Sequence, residues 1–242
     1  TVAQFWGSNT ADIDQIGDDN VAEVAHRGTF DSDATIRQTG DRNMASIKDD
    51  GQGTGPNSTG EATILQNGHD NDADVFQFGD SNVATISQVG DDQSASQYVV
   101  GEGNEVTQTQ RVADNSQRIE ITGDDNVFSA TQKGGTGNQL YVNARGTGPG
   151  DNDLRSYGSD FTGLQVGSDN KISGAMGGEQ NSLTITQRGV GNLVTNGNTF
   201  DAEGFLQSGD GNMATITQRG NANTTDLSQV GNGNTATITQ ND

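Results

Sequence analysis

Along Asn82-Val83-Ala84-Thr85-Ile86-Ser87-Gln88 the side chains change character at every second position. A period of two is that of a β-strand, whose side chains point alternately to opposite faces. Asn82, Ala84, Ile86 and Gln88 then share an inner face, and Val83, Thr85 and Ser87 an outer one. Nearly the same string recurs at 212–218 and at 234–240. The pattern predicts a strand of seven residues from Asn to Gln, then a turn of four whose second residue is nearly always Gly, as at Gly17, Gly40, Gly68, Gly90 and Gly123. Glycine suits a tight reversal with positive φ.

The glutamines and asparagines keep a step of 11 or a multiple of it over most of the chain. Counting by that step predicts about twenty strands, starting near 9, 20, 32, 43, 60, 71, 82, 93, 104, 115, 126, 138, 159, 170, 181, 192, 201, 212, 223 and 234. Two strands make one rung of about 22 residues, and about ten rungs at a strand spacing of roughly 4.8 Å give a body about 48 Å long. The predicted fold is all-β: one parallel β-solenoid with amyloid-like cross-β stacking over 9–240, after an N-terminal segment 1–8. Odd strands end in Gln15, Gln38, Gln66, Gln88, Gln110, Gln132, Gln165, Gln187, Gln207 and Gln229. Even strands open with Asn20, Asn43, Asn71, Asn115, Asn138, Asn170, Asn192, Asn212 and Asn234, with Gln93 in the remaining place. A parallel, in-register stack sets identical amides above one another, so that each donates to the next along the axis. An antiparallel meander gives no reason for ladders at a spacing of 22. Large residues beside small ones, Phe128 with Ala130, Phe161 with Gly163 and Ile172 with Gly174, suit a core only about 10 Å thick. The spacing fits badly once: the phase turns Glu203 inward, and the turn before it is two residues short. Loop insertions at 50–58 and 145–158, with the short turn near Thr199, fall on even-to-odd turns and hence on one side of the solenoid.

Composition sharpens this picture. Only 29% of the 242 residues are hydrophobic, 35 are glycine, and the formal charge is -21. Such a chain cannot build a broad globular core, but stacked repeats bury a narrow one layer by layer. The charge excludes nucleic acid as a partner. With no cysteine there is no disulfide or thiolate metal site, and no apolar run is long enough to span a membrane. No signal peptide opens the chain, so Thr1 is expected to begin a processed form.

Little in the sequence carries chemistry. His26 takes a glutamine position, His69 lies in a turn, and neither comes with a nucleophile signature. There is no phosphate-binding Gly-Lys pair. No enzymatic activity and no cofactor are expected. Asp70-Asn71-Asp72-Ala73-Asp74 begins like a calcium loop, but Val75 and Ser81 occupy the required Gly and Glu places. Paired turn acids, Asp18-Asp19, Asp91-Asp92 and Asp124-Asp125, are more suggestive of weak divalent binding, although a solvated acidic edge accounts for them better. An outward hydroxyl column, Thr35, Thr63, Thr85, Thr107, Ser129, Thr162 and Thr184, raises the alternative of a monomeric solenoid that binds ice or calcium. Its charged neighbours, Asp33, Arg37, Glu61 and Asp160, leave no second flat column.

The string Gln77-Phe-Gly79-Asp-Ser-Asn82-Val-Ala84-Thr-Ile-Ser-Gln88 and its recurrence from Gln207 to Gln218 resemble the curlin repeat of bacterial curli subunits, over about residues 9–240. The resemblance implies a secreted structural subunit that leaves through the curli secretion pore. It would meet a nucleator subunit and polymerise into extracellular amyloid fibres for adhesion and the biofilm matrix. The chain departs from that family in having about ten rungs where familiar subunits have about five. The partner expected from the residues is the chain itself. Asn9, Ala11, Ile13 and Gln15 at one end match Asn234, Ala236, Ile238 and Gln240 at the other, which predicts head-to-tail joining through the terminal rungs.

Overall fold

The computed structural model describes residues 1–5, 7–27, 31–50, 59–144, 156–195 and 205–241. These residues form strands and turns only, in two parallel sheets. The first sheet holds β1 (Val2–Phe5), β3 (Val21–Arg27), β5 (Met44–Asp50), β7 (Asp72–Phe78), β9 (Ser94–Val100), β11 (Ser116–Thr122), β13 (Gln139–Ala144), β14 (Ser156–Tyr157), β16 (Lys171–Glu179), β18 (Leu193–Thr195), β19 (Phe205–Ser208), β21 (Thr224–Asp226) and β22 (Ser228–Val230). The second sheet runs β2 (Thr10–Ile16), β4 (Asp33–Thr39), β6 (Gly60–Asn67), β8 (Asn82–Val89), β10 (Glu105–Arg111), β12 (Val127–Lys133), β15 (Asp160–Val166), β17 (Ser182–Arg188), β20 (Met213–Arg219) and β23 (Thr235–Asn241). A first-sheet strand, a turn and a second-sheet strand make one rung, and there are ten, as the spacing predicts. The pairing is parallel and in register throughout, for example Ala84 on Ala62, Ile86 on Ile64 and Gln88 on Gln66. The architecture is a parallel β-solenoid.

Two expectations about its ends are corrected. Residues 1–8 are not a separate segment, because Val2–Phe5 pairs with β3, with Val2 on Val24 and Gln4 on His26. Beyond β17 the alternation counted by elevens fails. The strands expected at 192 and 201 do not lie in opposite sheets. Leu193 and Val194 pair with Lys171 and Ile172, while Phe205 and Gln207 pair with Gly174 and Met176 of the same strand. They are two halves of one strand position, separated in sequence by residues 196–204. One position therefore consumes two of the counted strands, and every later strand changes sheet. The inward Glu203 lies outside the described residues, as does most of the insertions at 50–58 and 145–158. Ala144 ends one side of the second insertion, and Ser156 resumes on the other, paired with Gly178.

All these irregularities precede the second-sheet strand of their rung. The turns that connect one rung to the next are regular by comparison: eight have four residues, and only 134–138 has five. At the head of these turns the chains of successive rungs almost touch. A Cβ on Gly17 would lie 2.0 Å from the carbonyl oxygen of Gly40, and one on Gly40 as close to that of Gly68. Glycine is required there by contact as well as by φ.

The core is one side chain thick per sheet. Val24, Ile47 and Val75 of the first sheet face Ile36, Ile64 and Ile86 of the second, all fully buried. It divides into two apolar clusters, one reaching Ala95 and the other starting at Val99. Between them Gln97 and Gln108 take the isoleucine place, and both are buried. In the later cluster Phe128, Phe161 and Phe205 follow one another with centroids 5.7 and 6.0 Å apart, the first pair tilted and the second stacked. Gly163 makes room for Phe161 and Leu140. Gly174 makes room for Phe205 of the next rung rather than for Ile172 of its own.

Val112 occupies the glycine position of its turn at φ 91. A β-branched residue there costs on the order of 1–3 kcal/mol. Replacement by glycine adds back roughly 0.5–1 kcal/mol of chain entropy. Val112→Gly is therefore expected to raise unfolding stability by about 1 kcal/mol, read from the midpoint of urea denaturation.

Candidate functional site

The chemistry of this molecule is repetition of amides along the axis. Each Gln amide offers two N–H donors and one oxygen. In the second sheet Gln15, Gln38, Gln66, Gln88, Gln110, Gln132, Gln165, Gln187, Gln218 and Gln240 form one unbroken ladder, each Nε2 donating to the next Oε1 at 2.6–3.1 Å. From Gln38 onward the other N–H crosses the core to a backbone carbonyl at the start of the first-sheet strand of the same rung; Gln88, for instance, donates to Asp72 O at 3.0 Å. The ladder thus ties the two sheets together as well as stacking the rungs.

Gln207 and Gln229 are absent from this column. With the exchange of sheets after β17 they lie in the first sheet, where Gln207 donates to Gln229 at 2.7 Å. Gln218 and Gln240 take their places. The asparagines divide the same way. Asn20, Asn43, Asn71, Gln93, Asn115, Asn138, Asn170 and Asn192 open first-sheet strands in one column, and Asn223 completes it. Asn212 and Asn234 belong to the other column, after Asn82, Asn104, Asn126 and Asn181. In both, an Asn Oδ1 accepts the backbone N–H of the residue one rung on, and its Nδ2 typically reaches a glycine carbonyl of the neighbouring turn, as Asn71 does with Gly90 O at 2.8 Å.

Counting by elevens also reaches residues left out of the expected ladders. Gln4 is 11 residues before Gln15, and Gln218 and Gln240 are 11 after Gln207 and Gln229. What the count lacked was the sheet to which each belonged.

At the corresponding position of the first sheet, the column beyond Gln4 reads His26, Asp49, Gln77, Val99 and Ile121. His26, Asp49 and Gln77 are each at most 2% exposed. Among the described residues, both His26 nitrogens, Asp49 Oδ1 and Gln77 Oε1 lack a hydrogen-bond partner. Burial pushes the Asp49 carboxyl up to about 6, opposed by a hydrogen bond from Ser32. Burial lowers His26, opposed by the Asp33 charge.

The turn acids are partly occupied by the backbone. Asp91 Oδ1 accepts His69 N at 2.8 Å, and Asp124 Oδ1 accepts Glu102 N at 2.9 Å. Among the described residues no three histidines or acids converge as a metal site. His69 lies 3.5 Å from Asp41 on the surface. The outward hydroxyl column runs on through Thr215 and Thr237. Beside it stands a second one that the sequence reading missed, Ser87, Thr109, Thr131, Thr186, Thr217 and Thr239, broken by Leu164. Asp33, Glu61 and Asp160 lie in the column on the far side, and Arg37 in the second hydroxyl column.

At the ends, Ala11 and Ile13 on β2, and Ala236 and Ile238 on β23, pack on the core while remaining partly exposed. Asn9 and Gln15 flank the first pair, and Asn234 and Gln240 the second.

Two measurements follow. Gln88→Ala removes a donor to Gln110 and Asp72 and an acceptor for Gln66, and is expected to cost on the order of 1–3 kcal/mol. Thr85→Ala, facing outward, should stay within about 1 kcal/mol; equal losses in denaturant titrations would contradict the ladder's role. Asp49 ionises near 6 in the fold and near 3.8 when unfolded. The stability associated with its proton is full below about 3.8 and is lost as pH rises to about 6, a change on the order of 3 kcal/mol. Asp49→Gln removes that dependence and is expected to raise the melting temperature at pH 7 more than at pH 4.

No curated protein matches the chain. Residues 68–96 and 178–220 match the family of the curlin associated repeat. The first segment spans β7 and β8 with their turns; the second runs from the end of β16 to the end of β20, across the displaced register. With their strands stacked as parallel rungs, these two segments carry the curlin associated repeat.

Proposed function

We propose that the chain is a self-assembling structural subunit of extracellular curli-like amyloid fibres, and that copies join end to end through their terminal rungs. The observation that carries this reading is the polarity of the ladders. Nε2 of each Gln donates toward the C-terminal rung, so Gln240 has a second N–H to give once Thr224 O has taken the first. Gln15 Oε1 stands at the accepting end of the same ladder. A second copy placed in register on β23 sets Asn9 on Asn234, Ala11 on Ala236, Ile13 on Ile238 and Gln15 on Gln240. In the first sheet Gln229 meets Gln4 of the next copy, and Leu227 meets Val2. The contact is heterologous and does not close, so it propagates as a filament.

Charge is compatible with this direction. Residues 1–121 carry 21 acids and six bases, residues 122–242 carry 12 and six, or -15 against -6. Head-to-tail joining avoids setting the acidic halves on each other. Asp12 and Asp14 of β2 would stack on Thr237 and Thr239, not on like charges. By the same family reading the subunit is secreted through the curli pore, is started by a nucleator subunit, and serves adhesion and the biofilm matrix without enzymatic chemistry or a cofactor.

The test appends a charged, proline-containing segment after Asp242, which removes edge donors next to β23. Growth followed by light scattering and electron microscopy is expected to slow at least tenfold. Capped chain that polymerises as fast and as far as the unmodified chain overturns the mechanism.

A further inference from the structure

The edge formed by the between-rung turns is divided by charge. Over the first five rungs its turns carry Asp18, Asp19, Asp41, Asp70, Asp91, Asp92 and Asp114 against one base, Arg42, which pairs with Asp70. In the fifth, sixth, eighth and ninth rungs the last residue of the second-sheet strand is basic instead. Arg111 and Lys133 stack in register, and so do Arg188 and Arg219. All four are exposed, and none makes an ion pair among the described residues. Like charges stacked about 4.8 Å apart repel. The adjoining turns 134–138, 189–192 and 220–223 contain no acid to relieve them, in a chain with 33 acids. A second feature marks the same edge: Ile16, Val89, Val112 and Val190 are exposed apolar residues on it, and Val112 holds its place despite a positive φ.

We propose that this edge binds a second copy of the chain lying antiparallel, so that the acidic half of each copy covers the basic half of the other. A two-fold axis through the fifth between-rung turn, residues 112–115, pairs the rungs without offset. Arg111 then meets Asp114 of the second copy, and Val112 meets its own counterpart. Lys133 of the sixth rung meets Asp91 and Asp92 of the fourth. Arg188 of the eighth meets Asp41 of the second, and Arg219 of the ninth meets Asp18 and Asp19 of the first. In the seventh and third rungs, Asp169 meets His69 and Asp70, whose charge Arg42 already pairs. Such an isologous contact uses both halves twice. It needs no end-to-end joining, and in filaments its repetition would hold two of them side by side.

The experiment uses two full-length variants. Lys133→Glu with Arg219→Glu makes the basic half acidic. Asp19→Lys with Asp92→Lys puts bases at the two acidic positions that face Arg219 and Lys133, at turn positions where Arg42 shows that a basic residue fits. A mixed pair has the same total charge as two unmodified chains. Sedimentation velocity in 20 mM salt is expected to show pairs for the unmodified chain and for the equimolar mixture. Self-association of either variant alone should be at least tenfold weaker, and 0.5 M salt should dissociate the pairs. Circular dichroism and melting confirm folding, and the glutamine versions of the first variant serve if the glutamates unfold it. An unmodified chain that stays single, a variant that pairs alone, or a mixture that fails to pair overturns the inference. Filament length in electron micrographs of the same proteins reports end-to-end joining separately: long filaments that never run in pairs refute this contact and leave the end-to-end reading intact.

Discussion

Parallel in-register stacking sets each residue about 4.8 Å from its counterpart in the next rung, and this constraint decides what the core can contain. A buried polar group is tolerated only if it is satisfied. An amide donates on one side and accepts on the other, so a column of amides satisfies itself except at its ends. No other uncharged side chain of that length does so with one donor left over. The glutamine of the second sheet spends that donor on the opposite sheet, and the asparagines spend theirs on the turn. A core with so few apolar residues can hold together because its polar residues are bonded along the axis.

The same constraint explains where the core is poor. An imidazole or a carboxylate in such a column has no complementary neighbour of its own kind. His26, Asp49 and Gln77 show the result: adjacent, buried, and with four nitrogen and oxygen atoms unmatched. Gln97, Gln108 and Gln117 fail differently. Their Nε2 atoms find strand carbonyls, Thr85 O, Ser96 O and Thr109 O, but their Oε1 atoms find nothing. They stand at single isoleucine or alanine places, with no continuous amide column around them. An amide is useful here only as a member of a series, and the apolar core separates into two clusters at the first pair.

Much of this was legible in the sequence because the signal is repeated. The Asn-to-Gln strand, its period and the parallel register follow from the amides alone, and no single mismatch could hide them. What failed were statements that depend on counting through an interruption. A sequence period reports the next strand but not its sheet. Residues 196–204 fall inside one strand position, so counting by elevens places Gln207 and Gln229 in the ladder that Gln218 and Gln240 complete. The N-terminal strand was missed because Val2–Phe5 has no asparagine before it, although Gln4 kept the step. The role of Gly174 was assigned within its own rung, whereas its space is taken by Phe205 of the next. Alternation describes a strand, and packing in a stack is as much between rungs as within them.

The two edges of the solenoid obey different rules, and this is where fold and assembly meet. Extra sequence of more than one residue occurs at three places, 51–58, 145–155 and 196–204, and each precedes the second-sheet strand of its rung. An insertion there leaves the strand register on either side intact, as Ala144 and Ser156 illustrate. On the opposite edge nine turns vary by one residue in total, although nothing in the core demands more regularity of one edge than of the other. Both are anchored by an asparagine column and both turn at a residue with positive φ. Uniform length on one edge keeps its charged residues at the axial repeat, and only at that repeat can an acidic row meet a basic row over several rungs. A free surface would lose nothing by irregular turns; a surface that has to register with another copy would lose its contacts with the first long insertion.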